Sequence, residues 1–431
     1  MKKIAFFLLF ASYMSGTVRA QKNTYPVITS SSASAAGMLP ERLQRIDTVI
    51  NSFVQNKWTN GAVALVIHNG KIAYYKAFGY DDIEAKKLMQ KDGIFRIASQ
   101  TKAITSVAVM MLYEEGKFLL DDPVSKYIPA FKNPQVLDQY NEKDTTYTTI
   151  PAKREITIRD LLTHTSGIAY AQIGEGAINA IYQKNGIICG LGLENHILGD
   201  DIKKLGRLPL LHQPGEKFTY GLNVDVLGYL VEVLSGMSLD QFFRTRIFEP
   251  LGMKDTFFYL PSTRQSRLVN LYLVQTDGVL KKSPGYFEIG ENIMRDYPKA
   301  KGTYYAGGAG LSSTIMDYAI FLQMLLNGGE YNGKRLLGRN TVRIMTMNQI
   351  GDLNLGVNKF GLGFQIITQQ GSAQLPVPEG SYSWGGAFST TYWVDPKEKI
   401  IALLYRQLWD DQHERELIDK FKVLVYQAID Q

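Results

Sequence analysis

Strand-forming patterns lie at both ends of the 431-residue chain, with helical patterns between them. Near the N-terminus, two β-rich runs flank Asn69-Gly70, a residue pair typical of a tight hairpin. Further β-rich runs near the C-terminus begin at Gly363, Tyr382, Thr390 and Lys399. Because a sheet buries its faces against other elements, this pattern predicts an α/β (α+β) fold in which both ends build one antiparallel sheet. Helices would flank the sheet, and the middle of the chain would form a mainly helical inserted domain.

The predicted domain organisation follows this pattern. Residues 21–39 are rich in Ser, Ala and Thr, which is typical of a flexible lead-in. One folded domain is expected over residues 40–425. Its sheet part would combine residues 40–100 and 300–425, and its mainly helical part would span residues 101–299. Among the helical patterns are those over residues 40–56, 239–248, 314–326 and 414–429.

The first twenty residues have the layout of a secretory signal peptide. Met1-Lys-Lys is basic, Ile4 to Phe10 is apolar, and Val18-Arg-Ala20 ends in a small residue. The apolar run is too short to span a bilayer, and no later stretch is long and apolar enough. We therefore expect cleavage after Ala20, export to the periplasm or beyond, and no stable membrane span.

Charge and cysteine content exclude several classes of partner. The formal net charge is +6, but without Lys2, Lys3 and Arg19 the remaining 44 basic and 41 acidic residues differ by only 3. Such a small excess does not indicate binding to nucleic acid or to a membrane surface. Cys189 is the only cysteine, so no internal disulfide is possible, and we interpret it as a small apolar filler.

Ser99 and Lys102 stand three residues apart at the start of a helical pattern. Residues three apart share a helix face, so Lys102 would lie one turn from the Ser99 hydroxyl. A serine becomes nucleophilic when a neighbouring base takes its proton, and a desolvated lysine is one such base. The free N–H groups of a helix N-terminus also suit a developing oxyanion. Taken alone, the pair is also compatible with a helix cap and a solvated lysine.

Seven short motifs follow one another along the chain, and together they are more specific than any one of them. They are Ser99-Gln-Thr-Lys102, Leu162-Thr-His-Thr-Ser-Gly-Ile168, Pro214-Gly-Glu-Lys-Phe-Thr-Tyr220, Asp225-Val-Leu-Gly228, Pro250-Leu-Gly-Met253, Ala306-Gly-Gly-Ala-Gly-Leu311 and Trp384-Gly-Gly386. In this order and spacing they resemble the serine β-lactamase and penicillin-binding-protein-like superfamily. Within it, the pattern is similar to the class C-type branch, which includes family VIII carboxylesterases and D-amino-acid peptidases. The resemblance covers residues 40–425, nearly the whole mature chain.

The resemblance implies a role for each matching residue. Ser99 would be the nucleophile, and Lys102 would act with Tyr220 as general base. Tyr220 would then act as the acid toward the leaving group, which requires a nearby cation because a tyrosine alone is a weak acid. The backbone N–H groups of Ser99 and Ala387 would form the oxyanion hole.

Two motifs depart from the β-lactamase pattern. The usual Tyr-x-Asn has Leu222 at its third position, and Asn223 follows one residue later. Either Asn223 replaces that asparagine in substrate binding through a register shift, or the contact is absent and Asn223 caps the next helix. The usual Lys-Thr-Gly is replaced by Trp384, Gly385 and Gly386, as in family VIII esterases. We expect these three residues to bind substrate, with glycines allowing close approach to the strand.

Other hydrolase and cofactor signatures are missing. No serine has the Gly-x-Ser-x-Gly spacing of a conventional Ser-His-Asp hydrolase, and we interpret His164 as a packing residue. No cluster has convincing zinc-ligand spacing, and residues 328–334 lack the Ser or Thr that a phosphate loop needs next. The sequence therefore predicts no metal and no cofactor.

The expected function is an exported serine hydrolase that works through an acyl-enzyme, most readily on carboxylic esters. Where the usual motif is Lys-Thr-Gly, Trp384 stands in place of the lysine, which removes a cation that would hold a substrate carboxylate. A D-amino-acid peptidase or a β-lactamase acting on cell-wall-like substrates remains the alternative within the class. An alternative of another class is a non-catalytic scaffold that keeps the fold. The expected partner is a small ester or amide substrate.

Overall fold

The computed structural model describes residues 25–174, 176–191, 196–288 and 292–430. The predicted signal peptide, residues 1–20, lies outside the described residues. Among the residues described, no helix combines the length and the apolar character needed to cross a membrane.

The centre of the fold is a nine-stranded sheet. Its strands are β1 (Thr29–Ser30), β2 (Gly61–His68), β3 (Lys71–Asp82), β4 (Lys87–Leu88), β5 (Lys359–Phe360), β6 (Gln365–Ile366), β7 (Tyr382–Gly386), β8 (Thr390–Asp395) and β9 (Ile400–Tyr405). Their spatial order is β1-β3-β2-β9-β8-β7-β6-β5, and β4 pairs with β3. Every pair is antiparallel except β1 with β3. Strands from the two ends meet where β2 pairs with β9, so the predicted two-ended antiparallel sheet is confirmed.

The hairpin between β2 and β3 forms where the sequence predicts it. Asn69 and Gly70 have φ angles of +53° and +76°. Two consecutive residues with positive φ make the tight turn whose twist matches that of the flanking strands. The turn fixes the register of β2, in which Ala62, Ala64 and Val66 face one core cluster and the alternate residues face another.

Twelve α-helices occur in the described ranges. They are α1 (Pro40–Gln55), α2 (Thr101–Glu114), α3 (Ile158–Leu162), α4 (Ala177–Lys184), α5 (Leu198–Leu205), α6 (Asn223–Ser235), α7 (Leu239–Phe243), α8 (Glu249–Leu251), α9 (Ile315–Leu326), α10 (Arg339–Met345), α11 (Gln369–Ser372) and α12 (Glu414–Tyr426). The ends of α1 and α9 follow from their caps. Pro40 occupies the first turn of α1, and the Thr314 hydroxyl accepts a hydrogen bond from Asp317 N (3.1 Å) at the start of α9.

The sheet is packed between two layers of helices. On one face, α1 and α12 lie against each other and bury Ile46, Phe53 and Phe421 with the sheet. On the other face lie α9 and the larger core, at whose centre α2 contacts α6 and α7. Every α2 residue from 101 to 112 is buried, so the helix is enclosed on all sides rather than on one face. This enclosure holds the backbone at the N-terminus of α2 in a fixed position.

Several segments differ from the sequence-based expectations. Residues 28–38, predicted as part of a flexible lead-in, lie against the sheet, where β1 pairs with β3. Within the predicted sheet part, residues 300–358 form α9, as the helical pattern over 314–326 predicts, and α10, but they add no strand to the central sheet. Within the predicted mainly helical part, the polar stretch 132–155 forms the hairpin Gln135–Tyr140 with Tyr147–Pro151. The division into a sheet part and a helical part stays a prediction.

Candidate active site

Ser99 lies on a single 3-10 turn, Ala98–Gln100, that leads directly into α2. Its side chain is partly exposed, whereas the residues on both sides are buried. Ala98 has a φ of +42°, in the left-handed region that non-glycine residues rarely adopt. Such a conformation costs on the order of 1–2 kcal/mol and persists only where the surroundings impose it.

The surroundings hold this turn from both sides. Before it, the backbone N–H of Ile97 donates to Leu311 O (3.1 Å). After it, Gln100 accepts at Oε1 from the Tyr405 hydroxyl (2.6 Å), and Gln100 O accepts from the Tyr318 hydroxyl (2.8 Å). These anchors come from α9, the loop before it and strand β9, so the packed sheet determines where the serine hydroxyl points.

Lys102 Nζ is buried within hydrogen-bond distance of three oxygens. It donates to Ser99 Oγ (3.3 Å), to the Tyr170 hydroxyl (2.9 Å) and to Gly308 O (2.7 Å). The side chain is only 3% exposed, so water does not compete strongly for these contacts. The three-residue spacing therefore brings the amine to the serine, as the sequence predicts, and the capped-helix alternative for Ser99 finds no side-chain cap at α2.

Tyr220 also forms a hydrogen bond with Ser99. Its hydroxyl donates to Ser99 Oγ at 2.7 Å, and its ring centroid lies 4.7 Å from Lys102 Nζ. Burial strengthens such a cation–ring contact. The serine oxygen is thus the meeting point of an amine and a phenol, two groups between which a proton can be passed.

Tyr170 is a member of this cluster that the sequence reasoning missed. Its hydroxyl accepts the hydrogen bond from Lys102, and its ring centroid lies 5.6 Å from that of Tyr220. Burial raises the pKa of Tyr170 well above its ordinary value, with further contributions from Tyr220 and Asp225, so the phenol stays neutral. Tyr170 follows three residues after the Leu-Thr-His-Thr-Ser-Gly block, a position that could have indicated it.

Asp225 reaches Lys102 through the backbone of Gly308. Its Oδ1 accepts from Gly308 N (3.1 Å), and Gly308 O in turn accepts from Lys102. Burial raises the pKa of Asp225 to about 6, although the nearby Lys102 cation and the Gly308 N–H act in the opposite direction. A Cβ on Gly308 would lie 2.4 Å from Asp225 Oδ2, which explains the glycine at this position.

The raised pKa of Asp225 predicts a pH-dependent stability. In the unfolded chain the carboxyl titrates near 3.8, whereas in the folded protein it titrates at about 6, so the folded state binds the proton more tightly. The free energy of unfolding then falls by about 3 kcal/mol in total as pH rises from well below 3.8 to well above 6. We expect Asp225→Asn to gain stability relative to the wild type as pH rises, measured by denaturant unfolding at pH 4.5 and 7.5. An equal difference at both pH values would contradict the assignment.

His164 and Asn223 lie behind the cluster. Asn223 is fully buried; its Oδ1 accepts from Ser166 Oγ (2.5 Å), and its Nδ2 donates to His164 Nδ1 (3.1 Å) and to Ile168 O (3.3 Å). The structure therefore does not bring Asn223 to the cavity with the other predicted substrate-binding residues. Burial lowers the pKa of His164 well below its ordinary value, and its ring packs 4.9 Å from that of Tyr220, which fits a packing role.

Strand β7 forms one wall of the site. It pairs with β8 over its whole length, but β6 pairs only with Tyr382 and Ser383. The backbone of residues 384–386 therefore keeps one edge free of strand partners, next to Ser99. Trp384 stacks at an angle on Tyr220, with ring centroids 5.6 Å apart. A free edge of this kind can pair with the backbone of an extended substrate.

Gly386 is required by close packing against the Ser99 segment. A Cβ at this position would lie 2.2 Å from Ile97 O, whereas one on Gly385 would meet nothing closer than Thr390 O at 3.3 Å. We expect Gly386→Ala to lower the free energy of unfolding by about 3 kcal/mol, because the backbone must move. Gly385→Ala is the matched control and should cost less than about 1 kcal/mol, measured by thermal unfolding. Equal losses would contradict this packing argument.

These groups open into a cavity of about 670 Å³. Ser99, Tyr220 and residues 384–387 all line it, so the structure brings together the predicted nucleophile, the tyrosine, the β7 residues and Ala387. Elsewhere the lining mixes apolar side chains with charged ones from α12. The apolar residues include Ile173, Val357, Ile367, Leu375, Val377 and Ile418, and the charged ones are Glu414, Arg415, Asp419 and Lys422. No group of three or more His, Cys, Asp or Glu suited to a metal occurs among the described residues.

The fold and the cluster together define a class of protein. A large antiparallel sheet flanked by helices, with a serine at the start of a buried helix in contact with a lysine and a tyrosine, is the arrangement of the serine β-lactamase and penicillin-binding-protein-like superfamily. A family model described as Beta-lactamase matches residues 46–426. The chain therefore belongs to the beta-lactamase family of serine hydrolases.

Individual relatives agree with this assignment. Esterase EstB of Burkholderia gladioli is 29% identical over 373 residues, which cover 84% of this chain and 89% of the relative. A protein of Escherichia coli (strain K12) that carries the provisional name D-alanyl-D-alanine carboxypeptidase is 29% identical over 405 residues, 90% and 86% of the two chains. The structure of EstCE1, a hydrolase with promiscuous acyltransferase activity, is 25% identical and has a TM-score of 0.77, with 90% and 99% covered.

Proposed function

We propose that this protein hydrolyses carboxylic esters through an acyl intermediate on Ser99. The observation that carries the proposal is the position of Ser99 Oγ, 3.3 Å from Lys102 Nζ and 2.7 Å from the Tyr220 hydroxyl in the lining of a cavity. A hydroxyl between an amine and a phenol can lose its proton as it attacks a carbonyl carbon. A scaffold protein has no need for that arrangement.

In the acylation step, Ser99 Oγ forms a bond to the ester carbonyl carbon while its proton passes to the Lys102–Tyr220 pair. The carbonyl electron pair moves to the oxygen, and the N–H groups of Ser99 and Ala387 stabilise this oxyanion. Collapse of the intermediate breaks the ester C–O bond, and Tyr220 delivers the proton to the departing alcohol.

In the deacylation step, water attacks the acyl carbon of the Ser99 ester. Its proton passes to the same pair and then to Ser99 Oγ as the acyl C–O bond breaks, so the free acid leaves and the site returns to its starting state. The stoichiometry is one ester and one water consumed, one acid and one alcohol released.

The wall formed by β7 favours esters over β-lactams. Trp384, Gly385 and Gly386 stand where the β-lactamase pattern has a lysine, so the strand supplies no cation for a substrate carboxylate. Esterase EstB, at 29% identity, is a relative with the proposed activity. A D-amino-acid peptidase is the second candidate. Charged side chains of α12 also line the cavity, where they could bind the charged groups of a peptide, and the Escherichia coli relative carries a carboxypeptidase name.

Export of the protein is part of the proposal. The basic start, the short apolar run and the small residue at Ala20 support a cleaved signal peptide. An ester or a cell-wall fragment outside the cytoplasm would then be the natural class of substrate.

The testing experiment measures hydrolysis of p-nitrophenyl butyrate, nitrocefin and a D-alanyl-D-alanine peptide by the same preparation. Rapid turnover of the butyrate ester with slow or no opening of nitrocefin supports the proposed esterase. Fast nitrocefin turnover would assign a β-lactamase, and turnover of the peptide alone would assign the peptidase. Failure of a fluorophosphonate to label Ser99, with no turnover of any substrate, would favour the scaffold.

A further inference from the structure

Gln407 is a fully buried amide that bonds to both backbone segments of the proposed oxyanion hole. Its Oε1 accepts from Arg96 N (3.0 Å) and from Arg96 Nη1 (3.2 Å). Its Nε2 donates to Arg96 O (3.1 Å), Arg406 O (3.0 Å) and Phe388 O (3.5 Å). One side chain therefore joins the strand before Ser99 to the residue after Ala387.

The partners of Gln407 lie close in sequence to Ser99 and Ala387, the two residues of the proposed oxyanion hole. Arg96 ends the short strand Phe95–Arg96, three residues before Ser99. Phe388 follows Ala387 in the turn between β7 and β8, whose last ladder pair is Gly386 with Thr390. The two N–H groups that would hold the oxyanion thus lie on separate segments. These segments touch where Gly386 packs against Ile97 O, and Gln407 adds a hydrogen-bonded link between them.

The chain around Gln407 ties the turn down further. Arg406 N donates to Ser389 O (3.1 Å), and Leu408 N donates to Phe388 O (3.3 Å). Ser389 has a φ of +60°, an uncommon value for a serine, and these bonds hold it. The continuation of β9 therefore backs the turn that carries Ala387, and the Gln407 side chain extends that backing to the Ser99 segment.

We propose that Gln407 is a positioning residue that sets the distance between the N–H groups of Ser99 and Ala387. Oxyanion donors must sit close to 3 Å from the developing charge, and displacement of about 1 Å can cost a hundredfold in rate. A carboxamide suits the position because it accepts from Arg96 and donates to carbonyl groups at once. The role rests on the proposed ester hydrolysis. Gln407 would touch no substrate itself and would act only through the two N–H groups.

The test uses Gln407→Glu and Gln407→Leu. The glutamate keeps the oxygen that accepts from the Arg96 N–H groups and loses the amide contacts to Phe388 O, Arg406 O and Arg96 O. It therefore releases the turn and keeps only the acceptor half of the contact to Arg96. The leucine removes every hydrogen bond of the side chain; if that variant does not fold, Gln407→Glu alone carries the test. Gln323→Leu is the control: Gln323 is an equally buried amide on α9, bonded to Asn327 (2.9 Å) and remote from the cavity.

We expect Gln407→Glu to lower kcat for p-nitrophenyl butyrate about tenfold to hundredfold with KM within twofold. The affinity for a phenylboronic acid, which mimics the tetrahedral intermediate, should fall by the same factor. For Gln407→Leu, which adds no titratable group, the pH profile should keep its inflections, since Gln407 contacts neither Lys102 nor Tyr220. Gln323→Leu should lower the melting temperature and leave kcat and boronate affinity unchanged.

Two results overturn the role of Gln407. One is a folded Gln407→Glu with wild-type kcat and boronate affinity. The other is a loss of rate fully explained by fewer competent sites in a fluorophosphonate titration. If the wild type cleaves no ester but Ser99 is labelled, the substrate class is wrong, and the labelling rate of the variants still tests Gln407. An inert Ser99 in the wild type overturns the proposed function itself.

Discussion

Replacing Ser99 by alanine is expected to lower kcat for ester hydrolysis by at least about 10⁴-fold. The side-chain oxygen is the atom that would carry the acyl group, and it lies within hydrogen-bond distance of Lys102 and Tyr220. The Tyr170 hydroxyl cannot replace it, because burial keeps that phenol neutral. The residual rate would come from binding and from the oxyanion donors alone. Hydrolysis assays with p-nitrophenyl butyrate would measure the rate, and mass spectrometry of the trapped acyl-enzyme would identify the residue that carries the adduct.

Ser106→Ala is the matched control for this substitution. Ser106 lies on α2, the helix that follows Ser99, is fully buried, and its hydroxyl has no hydrogen-bond partner. Its replacement also removes one serine hydroxyl but does not touch the cluster, so activity should stay within about twofold of wild type. An active Ser99→Ala, or an acyl adduct on another residue, would contradict the proposed nucleophile.

The sequence predicts the part of the site that depends on local geometry. Ser99 and Lys102 share a helix face because they are three residues apart, and the structure brings them to 3.3 Å. The hairpin of β2 and β3 also follows from a local pattern, since Asn69 and Gly70 form its tight turn. Tyr220 needed the resemblance to the superfamily, because one tyrosine among 25 has no local feature of its own.

The part that the sequence did not predict depends on contacts between distant segments. Asp225 and Gly308 stand within motifs that were recognised, but their link to Lys102 exists only once α6 and the loop before α9 pack on α2. Asn223 lies one residue beyond the expected position, and that one-residue shift turns its side chain away from the cavity toward Ser166 and His164. Gln407 lies in no motif, and only the folded chain brings it to Arg96 and Phe388.

Lys102 and Tyr220 are expected to act as one unit. Their groups meet at Ser99 Oγ, and Lys102 Nζ lies 4.7 Å from the Tyr220 ring, so a proton taken by one is stabilised by the other. We expect Lys102→Met and Tyr220→Phe each to lower kcat/KM for the butyrate ester by about 10³-fold. The double variant should lose little more than the worse single variant, because residues of one unit are not additive.

Independent roles would instead multiply the two losses to about 10⁶-fold, so the double-mutant cycle separates the two mechanisms. Lys126→Met is the control for loss of a lysine: Lys126 is exposed and pairs with Asp122 on the surface, so its replacement should leave kcat/KM unchanged. Full activity of Lys102→Met would require a base elsewhere. His164 is poorly placed for that task, because burial lowers its pKa and so disfavours the imidazolium that a base would become, and its Nδ1 already accepts from Asn223. The measured coupling between Lys102 and Tyr220 therefore decides whether the phenol and the amine share the proton of Ser99.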